Sequence, residues 1–426
     1  MYGVVMNTFI KQYEKSKVMP YLVCLFASLF FAYELMQLHM LGAISPILMK
    51  ELNMNAEQFG MLCSTYLIAD VIFLLPAGLI IDRFSIRKVI LASLAVAITS
   101  AFGFAISKTF LQASVAHFFA GIGNGFCFLS CMILISQWFK PNKQALMTGI
   151  CITIGMLGGV LAQSPFSLLA TNYGFRSALY VDAFIGIIIF CLIALFVYDK
   201  KQTTITEPFI ASIKLAFSNV QNILIGTFTG LLNLPLMILS AVWGGLFLTQ
   251  VYQIPLTKAS LIVSMICMGS IFGSPIFGWI SDRIGQRKII IRLGNYITAL
   301  FMCSFAFLEN PTTLTLFCIF FAIGFFCSTH ILGYPLITAN NPKKIAGSSM
   351  GLASAIIMGL PAILGPITGH LLKSSWNLHQ SMQDGIPLYT KADFFYGLGI
   401  LPLSLIIAEI CLFFTKEPKK KLSYNS

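Results

Sequence analysis

Twelve apolar runs, of about 18 or more residues each, follow one another along the chain, and a helix needs about 20 such residues to cross the hydrocarbon core of a bilayer. They lie near 19–42, 60–81, 89–106, 111–139, 145–169, 177–198, 221–248, 259–281, 289–308, 312–338, 345–372 and 392–415. Inside lipid every backbone amide needs a partner within its own segment or a closed barrel, so runs of this length predict an all-α membrane protein. The composition agrees: 57% of the 426 residues are hydrophobic and 10% charged, too few charges for a separate water-soluble domain. The net charge of +12 does not mark a nucleic-acid binder, because the basic residues sit in short segments between apolar runs, where anionic lipid is the expected partner. The 11 cysteines fall within or beside the apolar runs. They imply no disulfide framework, and Cys127 and Cys131, one turn apart, read as small packing residues.

An even number of spans puts both ends of the chain on one face of the membrane. Of the 27 basic residues, 21 fall on that face and 6 on the other, and Lys and Arg resist translocation. Both termini are therefore expected in the cytoplasm. No cleavable signal is expected, and the absence of any Asn-x-Ser/Thr sequon with x other than Pro accords with a bacterial inner membrane. The expected organisation is a cytoplasmic tail at 1–18, six spans at 19–198, a cytoplasmic linker at 199–220, six more at 221–415 and a basic tail at 416–426.

The chain is written twice. GLIIDRFSIRK between the second and third spans returns as GWISDRIGQRK between the eighth and ninth, so Gly78, Asp82, Arg83, Arg87 and Lys88 recur 200 positions later at Gly278, Asp282, Arg283, Arg287 and Lys288. Pro141 and Lys143 recur at Pro342 and Lys344. Two six-helix bundles in one orientation, hinged about a midplane site, are what a parallel repeat encodes. The doubled motif resembles the signature of the major facilitator superfamily, with Ser85 standing where the family prefers the glycine kept at Gly285. The resemblance covers the whole chain and implies the fold of that family: twelve transmembrane helices in two bundles. It also implies a gate on the cytoplasmic side. Asp82 would bind the start of the eleventh helix and Asp282 the start of the fifth, flanked by Arg83, Arg87, Arg283 and Arg287, in the outward-open state and not in the inward-open one.

Four further stretches, YELMQLHMLGAISPILMKELNMNAEQFG, ISQWFKPNKQALMTG, IGMLGGVLAQSPFSLL and GFRSALY, resemble the phagosomal transporter family of intracellular bacteria, whose members import amino acids or nucleosides. The fifth span lacks the Gly-Pro pair of proton-driven drug exporters, which fits uptake.

Four of the 15 carboxylates fall within spans: Glu34, Asp70, Asp182 and Glu409. Intramembrane acids are costly and mark functional sites. Glu34 lies about 22 Å along the first helix and Asp70 about 18 Å above the cytoplasmic end of the second. Tyr33 and Gln37 share a polar sector with Glu34 that is expected to face the central cavity, and Tyr66 lies one turn from Asp70. No Lys or Arg is expected nearby, and an acid taken out of water without a counter-charge can exchange a proton with either side. Asp182 and Glu409 lie nearer the span ends and are expected to reach water. His117, ahead of Asn124 in HFFAGIGNG, stands where the superfamily usually has Arg, and a titratable residue there is a candidate partner for Asp70 or Glu34. In the second half the candidates are Asn233, beside Pro235 near the centre of the seventh span, and His330 with Tyr334 on the tenth; His39 is expected to be a packing residue.

The sequence thus predicts a secondary transporter of a small polar nutrient, an amino acid by preference and proton-coupled. A nucleoside or another neutral solute, carried with or without protons, fits the same charges, whereas dicarboxylates and sugar phosphates would need a cation. The competing class is a membrane sensor of the same fold. The chain contains no Gly-Lys dipeptide and no His-Glu-x-x-His, so neither a P-loop nor that zinc-protease motif is present. An enzyme, a cofactor and a bound metal are not expected, and a monomer is.

Overall fold

A computed structural model describes residues 18–198, 209–342, 346–383 and 386–417. Among these, twelve helical spans are long and apolar enough to cross a membrane: Met19–Ala43, Ala56–Leu74, Ile86–Ala105, Phe110–Trp138, Leu146–Tyr173, Phe175–Phe196, Val220–Val251, Leu256–Ile284, Arg287–Phe307, Thr313–Ala339, Ser348–Trp376 and Lys391–Phe414. They are numbered here as spans one to twelve. Local chemistry sets several starts. Asn55 and Gln58 form a reciprocal capping box at span two, Thr390 and Asp393 do the same at span twelve, and Thr109 and Thr312 cap spans four and ten, each satisfying backbone amides that the first helical turn leaves open.

The repeat is visible in the packing. Spans one and five, two and four, three and four, three and six, and one and six pack together in the first bundle, and each pairing recurs six spans later in the second. The bundles meet through spans one and seven, two and eleven, and five and eight. Span seven is enclosed on all sides. The two copies of the basic turn differ in their backbone. Gly285 takes the left-handed conformation, φ +73°, whereas Ser85 keeps φ −57° and its hydroxyl accepts from the Lys88 amide at 3.3 Å. Serine replaces a strained backbone with a side-chain cap.

The seam between the bundles is closed on the face away from the termini. There the Ala56 amide donates to the Tyr389 hydroxyl at 2.9 Å, Lys373 pairs with Glu57 at 2.6 Å, and the Ser260 hydroxyl donates to the Ala43 carbonyl at 3.1 Å. Burial pushes the Tyr389 hydroxyl up to about 12. Glycines let the backbones touch: a methyl group on Gly42 would lie 2.6 Å from the Ala241 carbonyl, and one on Gly60 3.0 Å from that of Gly365. On the face of the termini, no hydrogen bond or ion pair joins the bundles among the described residues. Gly149, Gly278, Gly351 and Gly359 look into open space, and a cleft of about 560 Å³ separates spans five and eight, lined by Leu146, Thr153, Ser274 and Trp279 among others. Among the described residues, the seam is open toward the termini.

Outside the spans, a short helix, Ser45–Glu51, joins spans one and two, another, Phe209–Ser218, precedes span seven, and a two-stranded antiparallel ribbon pairs Met382 with Pro387 and Gln383 with Ile386.

Candidate functional site

Polar side chains converge inside the first bundle. Gln37 donates through Nε2 to the Tyr33 hydroxyl at 2.9 Å and to Asp182 Oδ2 at 3.0 Å; Tyr33 reaches the same oxygen at 3.3 Å. Asn124 donates to Gln37 Oε1 at 2.7 Å. All four residues are buried. Tyr33 fits because Gly186 carries no side chain: a methyl there would stand 2.7 Å from its hydroxyl.

A second cluster adjoins this one. Tyr66 donates to the Glu34 backbone carbonyl at 3.4 Å, and its ring lies tilted against His117, 5.1 Å between centroids, while Phe104 meets the imidazole edge-on at 5.7 Å. The Glu34 carboxyl lies within electrostatic reach of Asp70 and of the Cys127 thiol. Span four breaks here: its helix stops at Asn124 and restarts at Cys127. Gly125 at the break leaves space for Asp70, whose Oδ1 would lie 3.1 Å from a methyl at that position. Irregular backbone at membrane depth is tolerated where it is buried in protein or lines a cavity. Glu34 Oε2 and Asp182 Oδ1 are buried without a hydrogen-bond partner.

The second bundle contributes broken helices. Pro235 has no amide to give the Leu231 carbonyl, and Ser404 of span twelve donates to that oxygen instead, at 3.3 Å. The Cys327 thiol donates to the next carbonyl, Leu232, at 2.8 Å. Asn233 is buried in the same stretch of span seven. A π-helical turn, Leu239–Trp243, follows, and its Ser240 carbonyl accepts from Gln163 of span five across the seam at 2.7 Å. His330 lies on a 3₁₀ turn, Ser328–Leu332, that interrupts span ten where the repeat of the span-four break falls; its Nδ1 contacts the Cys327 carbonyl at 3.0 Å. Tyr334 lies half-buried one turn on.

The structure thus brings together Tyr33, Glu34, Gln37, Tyr66, Asp70, His117 and Asn124 in one bundle and leaves Asn233, His330 and Tyr334 in the other. Two expectations need correction. Asp182 does not reach water: it is fully buried and anchors the network, while Arg176 turns away to the Ala105 and Ser107 carbonyls at 2.8 and 2.7 Å. Tyr33 and Gln37 therefore point into the first bundle, toward Asp182, and not into a central cavity. Glu409 stays partly exposed, at 22% of its side chain, with Oε1 2.6 Å from Arg292 Nε across spans nine and twelve. Gln163 was not singled out by sequence, since nothing in Leu-Ser-Ala-Val-Trp marks a π turn that would need a donor. His39 is buried, as expected of a packing residue, with Nδ1 2.7 Å from the Leu35 carbonyl.

Of the gate residues, the side chains of Asp82 and Arg83 lie outside the described residues. Asp282 and Arg283 are exposed, the latter with its guanidinium 5.4 Å from the Trp279 ring centre. Asp282 has no hydrogen-bond or ion-pair partner among the described residues, in keeping with a seam that is open on that face. Arg87 stacks on Tyr198 at 4.8 Å and donates to the Ala194 carbonyl, and the Arg287 amide donates to Glu417 at 2.5 Å. Among the described residues no group of His, Cys, Asp and Glu is arranged to hold a metal ion.

Comparison with known proteins places this architecture. The chain is 23% identical over 381 residues to the cis,cis-muconate transport protein of Acinetobacter baylyi, covering 84% of this chain and 87% of that protein. It is 23% identical over 167 residues to the hexuronate transporter of Bacillus subtilis, a match that spans 39% of this chain and 40% of that protein. The crystal structure of the nucleoside transporter NupG superposes with a TM-score of 0.73 at 17% identity, over 94% of this chain and 100% of that one. The sequence profile of the Major Facilitator Superfamily matches residues 22–366 and 228–425. Together with twelve spans in two repeated bundles, that match across both halves shows that the chain belongs to the Major Facilitator Superfamily.

Proposed function

We propose that this transporter imports an amino acid across a bacterial inner membrane by proton-coupled alternating access, with both termini in the cytoplasm. The observation that carries the reading is the acid cluster of the first bundle. Glu34, Asp70 and Asp182 sit in the interior, two of them with an unpartnered buried oxygen, and no described Lys or Arg contacts them. Such a chamber suits a proton or a substrate ammonium, and it disfavours a second negative charge. The relatives named for muconate and hexuronate carry carboxylated solutes; an amino acid brings its own ammonium, and its carboxylate would use the neutral donors Asn233, His330 and Tyr334 and the broken backbone of spans seven and ten. The excess of basic residues on the terminal face supports the orientation, and the four stretches that resemble phagosomal transporters support the substrate class.

The test is counterflow in liposomes reconstituted with the full chain, against pools of amino acids and of nucleosides, followed by uptake of each hit under an imposed proton gradient. Exchange of an amino acid, with accumulation that a protonophore collapses, is expected. Exchange confined to nucleosides would replace the substrate class, accumulation indifferent to the gradient would remove the coupling, and binding without any flux would make the protein a sensor.

A further inference from the structure

A groove of about 360 Å³ runs up the outside of the first bundle between spans two, three and four. Ile80, Phe84, Ala92, Val96 and Phe126 line it, with Ser93 its hydroxyl and Lys88 at its mouth. From Lys88 to Val96 is eight residues of helix, about 12 Å, close to one leaflet of a hydrocarbon core about 30 Å thick. Phe84, at the end of the second helix, is 61% exposed, and Ala92 a little way along the third is exposed too, so the groove is open to the surroundings of the protein.

The repeat supplies a control. Lys288 is the second copy of Lys88, and its ammonium is consumed internally, donating to the carbonyls of Thr415 at 2.5 Å and Phe413 at 3.4 Å. The ammonium of Lys88 has no hydrogen bond or ion pair among the described residues, and its side chain is exposed. Its neighbour Arg87 does not compete for the mouth, because its guanidinium is turned onto Tyr198. Of these two equivalent lysines, the one whose ammonium is left unspent among the described residues is the one beside an apolar trough of leaflet depth.

We propose that this groove binds an anionic phospholipid of the leaflet on the side of the termini, with an acyl chain along the trough and the phosphate at Lys88. An apolar trough alone would take any lipid tail; the exposed ammonium at headgroup level selects for net negative charge. The inference does not depend on the solute carried.

Native mass spectrometry of the purified full chain tests it, with phosphatidylglycerol and phosphatidylcholine of identical acyl chains supplied in turn. The wild type should retain phosphatidylglycerol in preference. Lys88→Gln should weaken that retention about fivefold, to near the level of phosphatidylcholine, the effect of one lysine at an anionic surface, and Lys88→Arg should restore it. Ala92→Trp, which fills the trough, should weaken both lipids, whereas Lys288→Gln should leave the preference in place. Equal retention of the two lipids by the wild type, or an undiminished preference in Lys88→Gln, would overturn the proposal.

Discussion

Lys373 meets Glu57 at 2.6 Å across the seam between the bundles, at the rim remote from the termini, with His370 also 3.3 Å from the same carboxylate. The pair is partly exposed, at 35% and 23% of the side chains, and such pairs contribute about 0.2 to 1 kcal/mol. Lys373→Gln should therefore raise the fraction open on that face by about fivefold at most. Cys63 lines the small void behind this rim, so its labelling by a membrane-impermeant maleimide reports the change; an unaltered labelling rate would mean the pair is not a latch.

Glycine substitutions should separate folding from gating. A methyl on Gly42 collides with the Ala241 carbonyl of the opposite bundle, a clash that the seam relieves by opening, whereas one on Gly158 overlaps the Ala32 carbonyl of its own bundle and has no such escape. Gly42→Ala is expected to fold, to label faster at Cys63 and to transport poorly. Gly158→Ala is expected to lose thermal stability. If both variants lost stability equally, the seam would not be a moving surface.

Asp182 should be structural as well as polar. Asp182→Ala leaves one N–H of the Gln37 amide and the Tyr33 hydroxyl without their acceptor, and an orphaned buried polar group costs about 1 to 3 kcal/mol. The double variant with Gln37→Ala should lose less than the sum of the single losses, because residues in one network couple. Additive changes in unfolding free energy would argue that the hydrogen bonds are incidental.

Glu34 carries the coupling in the proposed mechanism. Glu34→Gln keeps shape and hydrogen bonding and removes the titrating proton, so accumulation against a gradient should vanish while exchange persists. Concentrative uptake at the wild-type level would take Glu34 out of the proton path.

The Tyr389 contact sets a pH expectation. Its hydroxyl, raised by burial to about 12, stays protonated in the folded chain to higher pH than an ordinary tyrosine at about 10. Its contribution is complete below about 10 and fades only between about 10 and 12. Tyr389→Phe strips the Ala56 amide of its acceptor and should cost about 1 kcal/mol, and the difference in melting temperature from wild type should be flat between pH 6 and 9. A difference that changes with pH in that range would mean that the Tyr389 hydroxyl is not what the substitution removes.

The spans and the repeat were legible because each follows from chemistry a single segment carries. Apolar length sets a crossing, and the doubled Asp-Arg turn announces a doubled bundle. Even there the apolar run undershot: span two begins at Ala56 and not near 60, because Glu57 and Gln58 belong to a capped first turn that hydropathy does not see. What stayed hidden depends on neighbours. Asp182 was judged by its distance from the end of its own helix, about 10 Å, but whether a carboxylate meets water is decided by Tyr33 and Gln37, which are nearly 150 residues away in sequence. Arg292 and Glu409 illustrate the same point, since no local spacing links spans nine and twelve. In the polar sector of span one, Tyr33 and Gln37 share Asp182 while Glu34 lies toward Asp70; helical period gives relative angles and not the heading of the helix in its bundle, so the direction of the sector was not legible.

The unequal spacing of the two faces bears on how such a chain drifts. Where backbones meet without side chains, at Gly42, Gly60 and Gly245, one added carbon is a collision, while at Gly149, Gly278 and Gly351 it enters vacant volume. Saturation mutagenesis scored by uptake should then show a sharp gradient of tolerance along the membrane normal, forbidding on the side away from the termini and permissive toward them. Any descendant that reversed its resting posture would have to redistribute its glycines first.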